Sequence, residues 1–342
     1  MQYQGFDIIG DVHGCASQLV ERLVRMGYTR RGGTGAYFHP DYHAVFVGDL
    51  VDRGPEQLET LQLVKAMVDA ESASIVMGNH EFNAVAYATE HPRFPGYFLR
   101  PHTPKNTNQH RAFLDQLTPS QQSYYVKWFK TLPLWLSLPD LNDSAGVNEH
   151  ARVVHACWHD ASIKAVRAAC DGENRINGTE QWIEANDRVS DLYKAVEVLL
   201  KGPEIRLKPY GIEEFQDKDG HVRDKARLSW WISHSNQLSD LLQLGNGEAL
   251  KGEVKPNDPA MSYIYRDKTP AFYGHYWREN EPLHANAYTD YTACVDFSAV
   301  VSRKRNHGQP PVTTMTAYRW EGEMTIDADR YIPHGAAYKA PV

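Results

Sequence analysis

The sequence predicts an α/β protein, and three observations support that prediction. Short apolar runs alternate with segments of helical periodicity at the start of the chain. Each of those runs leads into glycine beside a polar side chain. The 342 residues are 42% apolar and 23% charged, so the chain can bury a substantial core. Such strand–helix alternation implies parallel strands joined by right-handed crossovers.

Three buried strands are expected near the start, at residues 6–9, 44–47 and 74–77, because each is a largely apolar run. A helix follows the first strand, since apolar residues recur there at about helical spacing and Gly27 is placed to end it. These apolar residues are Leu19, Leu23, Val24 and Met26. A second helix follows the second strand, with Pro55 in its first turn. Its apolar side is formed by Leu58, Leu61, Val64, Met67 and Val68.

The chain beyond these strands is less regular. Residues 91–111 contain four prolines and several basic side chains, which indicates a long surface loop. An aromatic-rich segment from Tyr124 to Leu138 is predicted to be helical at first and to end near Pro133. Further strands are expected at residues 151–154, 271–273, 292–301 and 313–320.

Residues 160–270 are polar and interpreted as an insertion into the fold. A helical stretch is expected near 179–201, and the charged residues 216–220 predict a turn. No repeat or low-complexity tract interrupts the chain. We therefore expect residues 1–342 to form a single domain that carries this insertion.

Composition disfavours several classes of protein. A formal net charge of −7 provides no overall basic surface, so no stable nucleic-acid partner is expected. No apolar run approaches the roughly 18 residues that span a membrane. The N-terminal segment lacks the pattern of a secretory signal, and the four cysteines are scattered without CxxC spacing. A cytoplasmic protein without a disulfide framework is therefore expected.

Three short motifs contain the functional signal. They are GDVHG at 10–14, GDLVDRG at 48–54 and GNHE at 78–81, and each follows a predicted strand. One such motif alone is compatible with an ordinary strand-to-helix turn. Three of them in order indicate a site instead, because each brings oxygen or imidazole ligands next to a glycine.

Hydrolysis of a phosphate ester needs positive charge beside the phosphoryl oxygens and an activated water. Two divalent cations roughly 3.5–4 Å apart supply both. Asp49 is the candidate for a carboxylate that bridges the two ions. Asp11 and His13 are placed to bind one ion, and Asn79 offers an amide oxygen to the other.

Two later histidines also follow predicted strands. His155 comes directly after residues 151–154, and His275 follows residues 271–273 and a glycine. Ligands gather beyond the carboxyl ends of strands in open α/β sheets, so both histidines are predicted to complete the second metal site. His159 is an alternative to His155, because it lies only four residues further on.

The same motifs supply groups for the leaving oxygen and for the phosphate. His80 adjoins Asn79 and is the candidate general acid, and Asp52 could hold its imidazole in the required tautomer. Arg53 offers a planar fork for phosphate oxygens. Alternatively, Asp52 and Arg53 form a local ion pair at the start of a helix. Glu81 is expected to cap or orient the following helix rather than bind a metal.

In their order, these motifs resemble those of the calcineurin-like metallophosphoesterases, and among these the phosphoprotein-phosphatase branch. That branch includes bacterial Ser/Thr phosphatases and symmetrical diadenosine tetraphosphatases. The resemblance covers about residues 5–90, 150–156 and 271–320. It implies a central β-sandwich flanked by helices. It also implies two divalent metal ions, Mn²⁺ first and otherwise Fe, Zn²⁺, Mg²⁺ or Ni²⁺.

The resemblance also implies which residues act. Those matching the ligands of the first ion are Asp11, His13 and Asp49, and those matching the ligands of the second are Asp49, Asn79, His155 and His275. Asp52 and His80 match the family's acid pair, and Arg53 matches its phosphate clamp.

Two departures from the family pattern concern the surroundings of the ligands. HAC stands at 155–157 where His-Gly-Gly or His-Ala-Gly is usual, and GHY at 274–276 replaces Gly-His-Thr. Both changes keep the metal ligand. Cys157, Trp158 and Tyr276 are therefore expected beside the site. The residues expected to contact substrate are Arg53, Asn79 and Tyr276.

The predicted function is a metal-dependent phosphoesterase that attacks phosphorus with a hydroxide activated by two metal ions. Its substrate would be a phosphomonoester or a nucleotide polyphosphate. A protein Ser/Thr or Tyr phosphatase is the alternative, and a non-catalytic binding protein with the same fold is a remote one. Trp230 and Trp231 are either core residues or a platform for base stacking. Basic residues of 91–111 are either solvated or contact the leaving group.

Overall fold

Two β-sheets packed face to face form the centre of the protein. The computed structural model describes residues 3–141, 149–216, 222–244, 250–278, 287–300 and 315–332. The strands are β1 (Gly5–Ile9), β2 (Thr29–Arg30), β3 (Tyr37–Phe38), β4 (Tyr42–Phe46), β5 (Ala73–Ile75), β6 (Trp135–Pro139), β7 (Glu149–Val154), β8 (Glu204–Arg206), β9 (Phe215–Gln216), β10 (Val222–Arg223), β11 (Lys225–Leu228), β12 (Leu242–Gln243), β13 (Ala271–Tyr273), β14 (Thr292–Cys294), β15 (Ala317–Trp320) and β16 (Tyr331–Ile332). The α-helices are α1 (Ala16–Arg25), α2 (Gln57–Asp69), α3 (Asn79–Ala88), α4 (Pro104–Gln109), α5 (Arg111–Gln116), α6 (Pro119–Phe129), α7 (Asp160–Ala169), α8 (Thr179–Glu184), α9 (Asp191–Lys201) and α10 (Leu238–Leu241).

Both central sheets are mixed. The first has the strand order β16-β15-β1-β4-β5, with β1, β4 and β5 parallel and β15 antiparallel to β1. The second has the order β14-β13-β7-β6, in which β14, β13 and β7 are parallel and β6 is antiparallel. Parallel strands end at the same edge of a sheet. Each sheet therefore directs three of its strand ends toward one side of the molecule.

The two sheets share an apolar layer. Ile8 and Val45 of the first sheet pack in one buried cluster with Val153 and Phe272 of the second. Trp320 at the end of β15 is also fully buried there. A larger cluster joins the outer faces of the sheets to the surrounding helices. The structure therefore confirms the predicted central β-sandwich flanked by helices.

The first strands and helices lie close to their predicted positions, with two differences. Val24 is 56% exposed, so it belongs to the solvent side of α1 rather than to its apolar side. Pro55 precedes α2 and is not in its first turn, because the chain bends around Gly14 before the helix begins. The N–H of Glu56, the N-cap residue, donates to the Gly14 carbonyl at 2.8 Å, and the helix starts only at Gln57.

The segment at 91–111 is more ordered than a surface loop. It contains α4, and His110 at the end of this helix is only 4% exposed. Helix α6, which follows α5, begins earlier than predicted because Thr118 and Gln121 form a capping box. The helix ends at Phe129, and the aromatic run continues as strand β6, which the sequence did not predict as a strand.

The middle of the chain contributes to two cores. Helices α7, α8 and α9 pack into the main core, for example through Val166, Trp182 and Leu199. The predicted helical stretch near 179–201 is thus two helices. A small antiparallel sheet of order β12-β11-β8 has its own apolar cluster, which includes Leu207 and Leu228. That the whole chain is one domain remains a prediction.

The C-terminal strands are shorter than expected. β14 ends at Cys294 and β15 begins at Ala317. The outer ends of the predicted strands, at 301 and 313–314, lie outside the described residues, as does most of the predicted turn at 216–220. In the part of the chain that the structure describes, no helix combines the length and apolar character needed to cross a bilayer.

A buried ion pair joins the two central strands of the first sheet. Asp7 of β1 lies opposite Arg319 of β15, and the guanidinium donates to both carboxylate oxygens at 2.7 and 2.8 Å. Arg319 also donates to the Met26 carbonyl at 3.1 Å. Both side chains are at most 4% exposed, so removal of one leaves an unpaired buried charge.

We expect Arg319→Met to lower the free energy of unfolding by about 3–5 kcal/mol, because it leaves the Asp7 carboxylate buried without a positively charged partner. Urea unfolding followed by circular dichroism measures this change. The double variant Asp7→Leu with Arg319→Met is the matched control and should recover much of the lost stability. An unchanged unfolding midpoint in the single variant would contradict the expectation.

Candidate metal centre

Six side chains meet at the carboxyl ends of the parallel strands. The first sheet supplies four of them, since Asp11 and His13 follow β1, Asp49 follows β4, and Asn79 begins α3 after β5. The second sheet supplies two, from the ends of β7 and β13. These are His155 and His275. Sequence reasoning selected all six for this position at the strand ends, and the structure brings them together in one place.

The backbone at this site is conformationally unusual. Several non-glycine residues here have positive φ angles, namely His13 (45°), Asp49 (51°), Asp52 (70°), Arg53 (68°) and His275 (67°). Each such conformation costs on the order of 1–3 kcal/mol and persists only where surrounding contacts impose it. Strain of this kind concentrates at functional sites, and here it occurs in the first two motifs and at His275, which all contribute side chains to one place.

Glu81 supports the backbone next to Asp49. Its Oε2 accepts hydrogen bonds from the N–H of Asp49 at 2.8 Å and of Gly78 at 3.0 Å, while Oε1 accepts from Leu50 at 2.8 Å. Glu81 thus caps α3, as predicted, and also holds the Asp49 turn. Only glycine fits at position 78, because a Cβ there would lie 2.2 Å from the Asp49 nitrogen.

The two carboxylate oxygens of Asp49 face different groups of donors. On one side, Asp49 Oδ2 lies 3.7 Å from His13 Nε2, which in turn is 4.0 Å from Asp11 Oδ2. On the other side, Asp49 Oδ1 lies 3.5 Å from His155 Nε2. Two ligands that each lie about 2.1 Å from one tetrahedral ion are about 3.4 Å apart. The distances from Asp49 to His13 and from Asp49 to His155 are therefore of the size that a shared cation requires.

Asn79 completes the second group of donors. Its Oδ1 lies 3.1 Å from His155 Nε2 and 2.8 Å from His275 Nδ1. His155 and His275 also form a potential metal-binding group with Asp49. In the first group His80 lies close as well, with Nε2 3.8 Å from Asp49 Oδ2. Oxygen and imidazole donors in this number fit two divalent cations that share Asp49.

Hydrogen bonds to backbone carbonyls prepare two of the histidines as ligands. His13 Nδ1 lies 2.9 Å from the Val51 oxygen, and His155 Nδ1 lies 2.8 Å from the Val47 oxygen. Because a carbonyl oxygen only accepts, each Nδ1 carries the proton and each Nε2 keeps a free lone pair. His275 Nε2 is buried without a hydrogen-bond partner among the described residues.

Charge at the site also favours cations. Burial, and then the carboxylates of Asp296 and Asp49, raises the pKa of Asp11 well above its usual value. Burial alone would raise the pKa of Asp49, but His155, His80 and His13 hold it well below its usual value. Asp296, at the end of β14, was not predicted from the sequence, and it accepts a hydrogen bond from the Trp277 N–H at 3.0 Å. Buried carboxylates this close to one another call for positive charge between them.

The structure brings together His80 and Asp52, the two residues predicted to act as an acid pair. His80 Nδ1 lies 2.6 Å from Asp52 Oδ2, and the backbone N–H of His80 donates to Asp49 Oδ1 at 2.9 Å. Burial alone would lower the pKa of His80, but Asp49 and Asp52 raise it above its usual value. The second oxygen of Asp52 accepts from His110 at 2.8 Å. Asp52 is thus paired with two imidazoles, which speaks against a local ion pair with Arg53.

A large cavity with basic walls opens at the site. Its volume is about 1310 Å³, and the carboxylates on its wall are those of Asp11, Asp49 and Asp52. Its basic side chains are Arg53, Arg100, Lys105, Arg111, Arg188, Lys201 and Arg227. Of these, sequence analysis singled out only Arg53. The basic content of 91–111 was a signal for three more, whereas Arg188, Lys201 and Arg227 lie in the insertion, where no motif marks them.

Other predicted neighbours of the site lie in the core. Tyr276 is 6% exposed, and its ring packs edge-on against His275 with ring centres 5.4 Å apart. It does not line the cavity, whereas Trp277 does. Cys157 and Trp158 are buried, and so are Trp230 and Trp231, which are therefore core residues.

His159 has a structural role elsewhere. Its ring accepts a hydrogen bond from the Ser162 N–H at 3.3 Å and caps α7. His155 alone of this pair lies among the candidate ligands.

Comparison with known proteins gives relatives of two related kinds. The chain is 51% identical over 76 residues to the asymmetrical bis(5'-nucleosyl)-tetraphosphatase PrpE of Halalkalibacterium halodurans, which is 22% of this chain and 30% of that protein. It is 31% identical over 148 residues to the PrpE of Oceanobacillus iheyensis, covering 42% of this chain and 57% of that protein. A symmetrical bis(5'-nucleosyl)-tetraphosphatase of a Marinomonas species is 28% identical over 152 residues, 44% of this chain and 45% of that protein. The chain thus matches between 30% and 57% of the length of these relatives.

A family model described as calcineurin-like phosphoesterase matches residues 6–199. That range contains all three motifs and the end of β7, and so five of the six side chains at the strand ends. Together with the sandwich of two mixed sheets, this match shows that the chain belongs to the calcineurin-like phosphoesterase family.

Proposed function

We propose that the protein is a metal-dependent phosphoesterase whose favoured substrates are nucleotide polyphosphates. The observation that carries this proposal is Asp49, whose two oxygens face two groups of metal donors beside the Asp52–His80 pair. Such an arrangement suits hydrolysis at phosphorus, because it combines a place for two cations with a proton donor. The presence of a complete acid pair argues against a non-catalytic protein.

The donors suit Mn²⁺ best and are compatible with Fe, Zn²⁺, Mg²⁺ or Ni²⁺, since carboxylate and amide oxygens are combined with imidazoles. The ligands would be Asp11, His13 and Asp49 for one ion, and Asp49, Asn79, His155 and His275 for the other. Two such ions neutralise charge on phosphoryl oxygens and make water a competent nucleophile near neutral pH.

The chain's own groups would act around the phosphate. Arg53 has a planar guanidinium at the cavity wall and would bind two phosphoryl oxygens at once. Asp52 accepts a hydrogen bond from the Nδ1–H of His80, and Nε2 would then face the reacting group. His80 would then donate its Nε2 proton to the leaving oxygen as the bond to phosphorus breaks.

The basic walls of the cavity support substrates with several phosphates. A single phosphoryl group would be neutralised by two cations and Arg53. Further positive charge around a cavity of about 1310 Å³, for example at Arg188 and Arg227, would suit a larger anion with additional phosphates. The relatives are named for dinucleoside tetraphosphates, which carry such a chain of phosphates.

We also propose that the protein works in the reducing cytoplasm. All four cysteines, Cys15, Cys157, Cys170 and Cys294, are buried free thiols. Burial raises the pKa of Cys15 to about 12, which keeps that thiol protonated and unreactive.

A panel of substrates with Mn²⁺ tests the function. It compares dinucleoside tetraphosphates, 5'-triphosphorylated RNA, phosphopeptides and p-nitrophenyl phosphate. We expect the highest kcat/KM for the dinucleoside polyphosphates. A preference for phosphopeptides would favour a protein phosphatase, and no hydrolysis of any substrate would contradict the proposal.

Within that panel, Arg188→Ala should raise the KM for dinucleoside tetraphosphate about tenfold, because it removes a charged contact to a remote phosphate. The KM for p-nitrophenyl phosphate should stay within about twofold, since this ester has no second phosphate. Arg206→Ala is the matched control, because Arg206 is exposed on β8 and does not line the cavity. Equal effects of Arg188→Ala on both substrates would refute a subsite for remote phosphates.

A further inference from the structure

The carboxylate of Asp52 is shared by two imidazoles. Its Oδ2 accepts from His80 Nδ1 at 2.6 Å, and its Oδ1 accepts from His110 Nδ1 at 2.8 Å. The Asp52 N–H donates to Gln57 Oε1 at 2.8 Å. Asp52 is 2% exposed, so water does not compete for these bonds. One carboxylate oxygen is thus committed to each histidine, which fixes the plane of the carboxylate.

His110 is itself held firmly. It lies between α4 and α5, and its backbone N–H donates to the Asn106 carbonyl at 3.2 Å and to the Thr107 carbonyl at 3.1 Å. Its ring stacks on Phe113, with ring centres 4.7 Å apart and planes inclined by 22°. The ring of Tyr87 lies 5.6 Å away on a tilted plane. Buried between these aromatic rings, the imidazole has little freedom to rotate away from Asp52.

Electrostatics agree with this geometry. Burial alone would raise the pKa of Asp52, but the hydrogen bonds from His110 and then from His80 lower it to about 2. An ionised carboxylate only accepts hydrogen bonds, so both histidines must present a protonated Nδ1 to it. His110 therefore helps to keep Asp52 in the form that orients His80.

We propose that His110 is a positioning residue that holds Asp52, and through Asp52 the imidazole of His80, for protonation of the leaving group. This inference rests on the proposed phosphoesterase function. It gives the segment at 91–111, which the sequence presents as a surface loop, a direct connection to the reacting centre.

The step that His110 supports is a proton transfer. Water attacks phosphorus and gives up one proton to bulk solvent, and the bond between phosphorus and the leaving oxygen breaks with its electron pair remaining on that oxygen. The proton on His80 Nε2 then forms the new O–H bond, and the electron pair of the N–H bond stays on the imidazole. A displaced Asp52 would let the ring of His80 turn, so that its Nε2 proton no longer points to the leaving oxygen.

His110→Leu tests this role with two esters. A phosphoserine peptide has a poor alkoxide leaving group and needs the proton, whereas p-nitrophenyl phosphate leaves well without it. We expect kcat for the phosphoserine ester to fall about tenfold and kcat for the aryl ester to change less than about twofold. His110→Asn, whose amide N–H can replace Nδ1–H, should recover most of the loss.

His102→Leu is the matched control. His102 belongs to the same segment and stacks on Tyr87, but its ring bonds the Tyr87 carbonyl and not Asp52. Equal losses on both esters in His110→Leu, or an equal selective loss in His102→Leu, would refute the positioning role. Unchanged kcat for both esters would refute it as well.

A spectroscopic readout keeps the test independent of activity. The magnesium-loaded wild-type protein should show two low-field resonances from imidazole N–H groups that bond a carboxylate. One belongs to His80 and the other to His110. His110→Leu should remove one and shift the other, and an unshifted His80 resonance would refute the coupling through Asp52. If His110→Leu does not fold, the same two measurements on His110→Asn and on His110→Gln, which places its amide further out, decide between the outcomes. Failure of the wild-type protein to hydrolyse any ester would instead refute the proposed function and leave the resonance test valid.

Discussion

Asp49→Asn is expected to reduce metal-dependent hydrolysis of p-nitrophenyl phosphate by on the order of a thousandfold or more. Asp49 faces both groups of candidate metal donors, with Oδ2 3.7 Å from His13 and Oδ1 3.5 Å from His155. An amide keeps the shape and one oxygen but loses the negative charge that holds two cations close together. We therefore expect loss of metal together with loss of turnover.

Two measurements on the same samples check this result. Initial rates with saturating Mn²⁺ report activity, and elemental analysis after gel filtration reports bound metal. Asp69→Asn is the matched control, since Asp69 lies at the exposed end of α2 and pairs only with Lys65 in the described structure. Wild-type activity in Asp49→Asn would refute the bridging role and with it the proposed centre.

His80→Ala is expected to separate substrates by their leaving groups. Protonation of the leaving oxygen contributes roughly 10²- to 10⁴-fold to such reactions. The variant should lose that factor with a phosphoserine peptide and much less with p-nitrophenyl phosphate. The geometry behind this expectation is the 2.6 Å contact between His80 Nδ1 and Asp52, which leaves Nε2 on the side of Asp49, 3.8 Å from its Oδ2.

Metal content decides between two roles of His80. Its Nε2 also lies 3.8 Å from Asp49 Oδ2, a separation compatible with a metal ligand. If His80 is the general acid, the metal content of His80→Ala should equal that of the wild type. Loss of one ion, with equal slowing of both esters, would instead assign His80 to the metal site. His234→Ala, which changes an exposed histidine away from the cavity, is the matched control.

Much of this site could be predicted from local sequence. Asp11, Asp49 and Asn79 each follow an apolar strand and adjoin a glycine, and metal chemistry demands those residue types in those turns. The short strands β2 and β3 were not predicted, but β1, β4 and β5 were equally readable, because parallel buried strands are largely apolar runs. Pattern and chemistry agreed at each of these positions.

Other features had no local signature. His110 and Arg227 reach the site from segments whose own sequence indicates only a loop and an insertion. Tyr276 was expected at the substrate, but positive φ angles at His275 and Trp277 turn the chain so that Tyr276 enters the core and Trp277 faces the cavity. A pattern of residue types does not encode such a turn.

The sequence by itself indicated the candidate ligands, the candidate acid pair and the kind of fold, because these depend on which side chain follows which strand. Tertiary structure alone decided that His110 bonds Asp52, that basic side chains line the cavity, and that Trp277 rather than Tyr276 faces it. Those contacts join residues far apart in the chain, such as Asp52 and His110, and only packing of the intervening helices brings them within bonding distance. Which residues lie close together depends on how the core packs. Short motifs predict this proximity only for candidate ligands that directly follow strands.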